Sequence, residues 1–454
     1  MAKKVIIIGG GAAGLSAGVK LAVEGHEVRL FESKPFLGGR LYSFVEPATG
    51  DIVDNGQHIM AGFYYNTFKL LTMLETSHLV KLQNNLEIDF FEKGPKHFRF
   101  KCLSMPVPFA LMWGLFSYPK FNKRDLIKLM KMKKSADKSL TAAQWLEKLN
   151  ISEESIYSFF KPLVLATLNA GVEKVSAIIF RDMLNTIFDA KSREAVLAFP
   201  KVGLSKIVAD PAGEFIKKRG GQINLCTQIK EIVLEGGRVS GVVDFNDQKY
   251  SADAYICALP PDNLYNILPG GENHYLKEWS YSPIVAVNLW FDRSVMDQPM
   301  IGMLDSPFHW CFDKSKLFGS DKKHPYISFI ISAANEAAEW TKDKLIDMAM
   351  SEIKTYLPKI SGARLVHSQV IKEKKATVLI TPEALSLREK PRSPWENFFV
   401  AGDWTDTGLP ATIESAVKSG FVAADLVCTS TGSARTESTA RHSRGGGNLE
   451  RGFL

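Results

Sequence analysis

Gly9, Gly11 and Gly14 stand in the spacing G-x-G-x-x-G within the run Gly-Gly-Gly-Ala-Ala-Gly. In that spacing the first glycine permits a tight turn, the second lets a pyrophosphate approach the backbone, and the third lets helix and strand pack closely. Ala12 and Ala13 open the helix that follows, where free N–H groups attract phosphate. Glu32, followed by Ser33, ends the next apolar segment, and a carboxylate there can accept hydrogen bonds from a ribose. Glycine turns after apolar strands are common in structures that bind nothing. Here strand, helix and acidic residue all occupy the places that a dinucleotide requires.

Three more clusters carry chemistry. Gly38-Gly39-Arg40 follows directly, with two glycines for close backbone approach and a guanidinium to offset phosphate charge; alone it reads equally well as a loop with a surface arginine. Asp54-Asn55-Gly56-Gln57-His58 is dense in polar groups between apolar flanks, which suits the lining of a pocket better than a solvated turn. Near the end, Phe398-Phe399-Val400-Ala401-Gly402-Asp403 leads into Pro410-Ala411-Thr412-Ile413-Glu414. A strand, a Gly-Asp pair and a helix start form an anion-binding arrangement, and Asp403 can bond a sugar or ribityl hydroxyl.

These clusters need a scaffold. Lys4–Ile8 reads as a buried strand, residues 12–23 as a helix and residues 27–32 as a second strand, a βαβ opening. A chain of 454 residues exceeds one simple core, so two domains are expected. Residues 64–74 read as a helix, and residues 86–100 as two strands around Gly94-Pro95. Thr141 and Gln144 have the spacing of a capping box. Ile229 begins a β-meander that turns at Gly236-Gly237, and residues 254–259 form a buried strand; this second α/β unit should rejoin the first sheet. Residues 284–291, 308–312 and 326–332 are strands, and a helix spans about 341–357, as in a separate antiparallel-sheet domain.

Bulk properties exclude several classes. The five cysteines are scattered, with no CxxC, which argues against a disulfide framework or a zinc cluster, and no metal is expected. The formal charge of +7 is uneven, with eight Lys/Arg and two Asp between Lys120 and Lys138. A nucleic-acid partner is not expected, because this basic block is single and no recognition motif surrounds it. It follows an apolar, proline-broken stretch, residues 103–121, that carries Trp113 and Tyr118. Aromatic and cationic neighbours of this kind suit contact with anionic lipid; a buried connector followed by a solvated helix is the plainer reading. No apolar run reaches the ~20 residues of a spanning helix. The expected location is cytoplasmic and peripheral to a membrane. Residues 429–454 are rich in Ser, Thr, Gly and Arg and should be a disordered tail.

Together Gly9–Gly14, Glu32, Gly38-Gly39-Arg40 and Gly402-Asp403 resemble the flavin amine-oxidase and phytoene-desaturase superfamily. Asp54–His58, Tyr281–Asp292 and the stretch 401–414 look like the hydroxysqualene dehydroxylases, also called squalene-associated FAD-dependent desaturases, and the resemblance covers about residues 4–427. It implies an α/β fold: a Rossmann-like FAD-binding domain (1–84, 200–270 and 365–428) with a discontinuous antiparallel-sheet and helical substrate domain (85–199 and 271–364). It also implies that Gly9, Gly11, Ala12, Ala13 and Gly14 hold the FAD pyrophosphate and that Glu32 and Ser33 meet its ribose. Arg40, Gly402 and Asp403 would hold its middle, with Thr412 and Ile413 near the isoalloxazine, and Gly38, Gly39, Gly56, Gln57, His58, Ile229 and Ala411 are further expected cofactor contacts. The implied reaction is reductive dehydroxylation of hydroxysqualene to squalene, with a long isoprenoid lipid as substrate. The inner face of a membrane would be met through 103–138, and an unidentified electron donor would reduce the flavin. Departure of water needs a proton donor, for which Asp54 and His58 are the ionisable pair at hand; an aspartate there needs a raised pKa. A structural role for Asp54 or Gln57 competes with that reading. Rival functions are a carotenoid desaturase and a non-enzymatic isoprenoid carrier.

Overall fold

The computed structural model describes residues 1–94, 96–132, 136–191, 194–269, 274–319 and 324–430. The expected tail therefore lies almost wholly outside the described residues. Lys4–Ile8 is apolar after its first residue, and its last four side chains are all buried, as in a central parallel strand covered on both faces. It pairs in parallel with Glu27–Phe31 on one side and Ala254–Cys257 on the other. Gln222–Asn224 and Phe398–Val400 add parallel edges, so the sheet takes its strands from three distant parts of the chain. The second α/β unit does rejoin the first sheet.

Small residues let the helices close on this sheet. Ala12–Val23 lies against the last helix, Ile413–Thr429, at Gly420, where a Cβ would fall 2.2 Å from the Ala13 carbonyl oxygen. No larger residue allows that approach.

The second sheet has seven strands, in the order Leu365–Val378, Tyr281–Phe291, Tyr326–Ile331, Trp310–Asp313, Met300–Met303, Glu87–Glu92 and Lys96–Lys101. Neighbours are antiparallel except where Met300–Met303 meets Glu87–Glu92 in parallel, so the sheet is mixed. One expected boundary is corrected. Leu365–Val378 does not belong with the first sheet but runs along Tyr281–Phe291 at the edge of the second. Its lysines at 372, 374 and 375 suit an edge strand that must not recruit another, and that same charge hides its partner in the sequence.

One face of the second sheet is covered by the helix Lys342–Tyr356, whose Leu345, Ala349, Ile353 and Tyr356 are buried at helical spacing. Helices from residues 107 to 189 gather in the core that also includes Ala286, Trp310, Phe312 and Ile330. Among them, Thr141 and Gln144 form the expected capping box, Gln144 N donating to Thr141 Oγ1 at 3.3 Å and Thr141 N to Gln144 Oε1 at 2.9 Å.

Candidate active site

A cavity of about 620 Å³ connects the C-terminal ends of the first sheet's strands to the wall formed by the second. Ligands of open α/β sheets bind at such strand ends. Gly9, Gly11, Ala12, Ala13, Glu32, Ser33, Gly38, Gly39 and Arg40 line one end. Gly14 does not; it packs inward, where a Cβ would sit 1.9 Å from the Gly9 carbonyl oxygen. Gly11, by contrast, has nothing within 4 Å of a would-be Cβ. The Gly38 N–H donates to Gly10 O at 2.8 Å, and Gly38 adopts φ +105°, which brings the two glycine turns side by side. Glu32 is fixed by Gly10 N at 2.8 Å and Lys34 N at 2.9 Å.

Arg40 and Asp403 face each other across the same end. The guanidinium donates Nη1 to Oδ2 at 2.8 Å and Nη2 to Oδ1 at 2.7 Å, with Nη1 also reaching Ala376 O at 3.0 Å. Burial opposes the charge on Arg40, but the Asp403 carboxylate outweighs it and raises the pKa. Gly402, Asp403, Ala411, Thr412 and Ile413 all line the cavity. Thr412 caps the last helix, accepting from Ser415 N at 3.3 Å. Glu414 in turn accepts four hydrogen bonds from Asn66 and Thr67, at 2.7 to 2.9 Å.

The segment 54–58 departs from expectation. Gly56, Gln57 and His58 line the cavity but Asp54 does not. Its Oδ1 accepts from Ser43 Oγ at 2.8 Å and Leu204 N at 3.0 Å, and its Oδ2 meets Lys314 Nζ at 2.9 Å. Burial would raise the Asp54 pKa, but the Lys314 charge and these hydrogen bonds lower it below the ordinary carboxylate range. The role of proton donor expected for Asp54 is therefore corrected: it is an ionised structural carboxylate. His58, by contrast, lines the cavity as expected of a site residue. Burial lowers its pKa, and its Nδ1 lies 2.9 Å from Gly56 O, which can only accept. That contact orients the ring in the cavity wall. Ile229 also stands apart, buried at the start of its hairpin and not lining the cavity.

Beyond His58 the cavity turns apolar. Leu111 and Leu115 of the helix Val107–Ser117, Phe159, Leu163, Trp310 and Phe312 line it. Asn169, Ser332 and Thr377 are polar exceptions in this wall. Asn169, at φ 47°, donates to Ser282 O at 3.0 Å and Thr377 Oγ1 at 3.3 Å while accepting from Ala333 N at 2.8 Å. Behind Ser332, His309 Nδ1 accepts the Ser332 N–H at 3.0 Å. Burial first, and Lys161 second, lower its pKa to about 4.

Two residues that hold the site carried no signal in the sequence. Lys314 is one. Arg388 is the other: buried, it donates to the carbonyls of Asp403, Trp404, Thr405 and Leu409, and so fixes the loop that presents Asp403.

The donor set suits a dinucleotide flavin. Glycine backbone opens onto the cavity, an acidic side chain is held at the end of the second strand, and a forked arginine lies between.

Residues 12–428 match the family model described as flavin containing amine oxidoreductase. Over 434 residues the chain is 27% identical to a hydroxysqualene dehydroxylase of Rhodopseudomonas palustris, covering 94% of this chain and 99% of that one. It is 26% identical to a 15-cis-phytoene desaturase of Synechococcus elongatus, covering 97% and 98%. A solved oxidoreductase from Methanosarcina mazei superposes with a TM-score of 0.73 at 15% identity, over 93% of this chain and 100% of that chain.

Proposed function

Because the chain belongs to the flavin-containing amine oxidoreductase family, we propose that it is the member that reductively dehydroxylates hydroxysqualene to squalene. The family and the fold make it an FAD-dependent oxidoreductase. The observation that carries the finer reading is the shape of one cavity. It runs without interruption from the glycine turns to an apolar chamber walled by Leu111, Leu115, Phe159 and Leu163, with hydroxyl and amide groups of Ser332, Thr377 and Asn169 set into that wall. A hydrocarbon chain fits the apolar part, and a hydroxyl-bearing one can use the polar patch. Near full-length similarity to hydroxysqualene dehydroxylases supports the same reading.

The residues divide the work. Gly11 and Gly39 leave backbone open for a pyrophosphate, Glu32 offers a carboxylate to a ribose, and Arg40 with Asp403 would hold the middle of the cofactor. Bound FAD in its reduced form supplies hydride transfer. Replacing the substrate hydroxyl by hydride consumes one proton and releases water. The apolar wall excludes bulk water from that exchange. A separate electron donor must restore the reduced flavin.

A lipid surface is the proposed source of substrate. Phe109, Trp113 and Phe116 are 68%, 47% and 55% exposed, while Leu111 and Leu115 of the same helix line the cavity. One helix thus carries apolar side chains on both faces, one toward the chamber and one outward. The neighbouring charge is less free than the sequence suggests: Lys120 pairs with Glu92 and Lys128 with Asp125, while Arg124 and Lys138 are exposed. Among the described residues no helix is long and apolar enough to cross a membrane. Contact would be peripheral, on the cytoplasmic side.

Anaerobic incubation of the flavin-reduced protein with hydroxysqualene, followed by lipid analysis, tests the reaction. Squalene with reoxidised flavin is expected. Unchanged hydroxysqualene alongside desaturation of phytoene by the oxidised protein would transfer the assignment to carotenoid desaturation.

A further inference from the structure

Lys314 is buried, 4% exposed by its side chain, and stands two residues beyond Phe312 at the end of a strand of the second sheet. Its ammonium group meets two acceptors on the opposite wall, Asp54 Oδ2 at 2.9 Å and Gln57 Oε1 at 2.8 Å, and lies 4.2 Å from the centre of the Phe318 ring. The bland account is that it neutralises Asp54 and fastens two layers together. That fastening is already supplied elsewhere. Trp290 Nε1 donates to Asp51 Oδ2 at 2.7 Å, Tyr326 OH to Ile52 O at 2.8 Å, and Asn55 Nδ2 to Glu373 Oε2 at 2.8 Å. What Lys314 alone adds among these contacts is the grip on Gln57, whose amide in turn donates to His58 O at 3.2 Å. Gln57 and His58 line the cavity on one side, and Trp310 and Phe312, on the strand that ends just before Lys314, line it on the other.

We infer that Lys314 is a positioning residue: through Gln57 it sets the height of the 56–58 segment, which lines the cavity that would hold FAD, relative to the chamber wall. The inference rests on the proposed FAD site but adds to it. One buried cation ties the bed of the cofactor to the wall that receives substrate, so a change at either side reaches the other. The reason is geometric. A charged donor shared by two acceptors holds both at hydrogen-bond distance, and an apolar replacement holds neither.

Three variants separate this role from simple charge pairing. Lys314→Met leaves Asp54 buried without its counter-ion and should lower apo-protein stability as well as FAD affinity. The double variant Asp54→Asn with Lys314→Met removes both charges, while the amide oxygen it introduces can still accept from Ser43 and Leu204. It should regain thermal stability over Lys314→Met yet still bind FAD about tenfold more weakly than wild type, a factor expected when one charge-assisted contact is lost. Gln57→Leu keeps the Asp54–Lys314 pair and should reproduce the weaker binding, together with a shifted visible flavin spectrum and reduction potential, with a smaller loss of apo-protein stability than Lys314→Met. A double variant and a Gln57→Leu protein that both match the wild type in FAD affinity, spectrum and potential would overturn the inference and leave Lys314 a counter-ion only. Wild-type protein that takes up no FAD would instead defeat the cofactor assignment itself, so the two failures can be told apart.

Discussion

Arg40 and Asp403, 363 residues apart in the chain, meet in a two-pronged ion pair at 2.7 and 2.8 Å at the glycine-lined end of the cavity. Lysine cannot reproduce that fork, because its ammonium is a single point of charge. Arg40→Lys should weaken FAD binding by roughly tenfold or more, about 1.4 kcal/mol, despite keeping the charge. Titration of apo-protein with FAD, followed by flavin fluorescence, measures it. Equal affinity for the two proteins would show that the fork does not touch the cofactor.

Gly11 and Gly14 should respond in opposite ways to the same alanine. Gly14→Ala drives a Cβ to 1.9 Å from Gly9 O, so helix and strand must separate, at a cost of about 1–3 kcal/mol or more in the apo-protein. Gly11→Ala meets nothing within 4 Å and takes a φ of −78°, so the apo-protein should be unharmed or up to about 1 kcal/mol more stable. FAD binding should nonetheless fall in Gly11→Ala. Melting curves with and without FAD read both effects, and a Gly11→Ala protein stabilised by FAD as strongly as wild type would place the pyrophosphate elsewhere.

His309 makes acid stability a property of the chamber wall. Its pKa falls from an unfolded value near 6.5 to about 4 in the fold. Between those values the unfolded chain binds the extra proton and the native protein does not, so stability is fully present above pH 6.5 and is lost as pH falls toward 4, by roughly 3 kcal/mol in all. Protonation also replaces the acceptor that holds Ser332 N–H with a donor. His309→Gln should flatten this part of the pH–melting profile. An unchanged slope between pH 6.5 and 4 would assign the loss to other groups.

The outer face of Val107–Ser117 should govern attachment to lipid. Replacing Phe109, Trp113 and Phe116 together by serine should abolish cosedimentation with vesicles of anionic phospholipid while the protein stays folded, since about half or more of each side chain is exposed. Binding that persists in the triple variant would direct attention to another surface.

What is legible in the sequence is whatever a residue type alone dictates. Backbone that opens onto a cavity needs no side chain, and so Gly11 and Gly39 announce themselves; the capping box at Thr141 and the apolar strand Lys4–Ile8 do so by the same local logic. Asp54 misleads because a carboxylate beside a pocket looks the same whether it is free or bound. Only the fold brings Lys314 to it from 260 positions away. Arg388 is invisible for a related reason, since its partners are carbonyls that every residue possesses. Leu365–Val378 points to the wrong sheet because a lysine-rich edge strand shows little hydrophobic alternation. Partner choice is a tertiary fact, and no local pattern records it.

The crossing of Ala12–Val23 and Ile413–Thr429 at Gly420 also sets an order of events in time. On the ribosome the βαβ unit emerges long before Asp403, Thr412 and the helix that backs them; 363 residues separate Arg40 from its carboxylate partner. A nascent chain therefore presents half a nucleotide bed, with Arg40 lacking its counter-ion, for most of the synthesis of this fold. The complete bed for a nucleotide therefore exists only once that last helix has emerged and met Ala12–Val23.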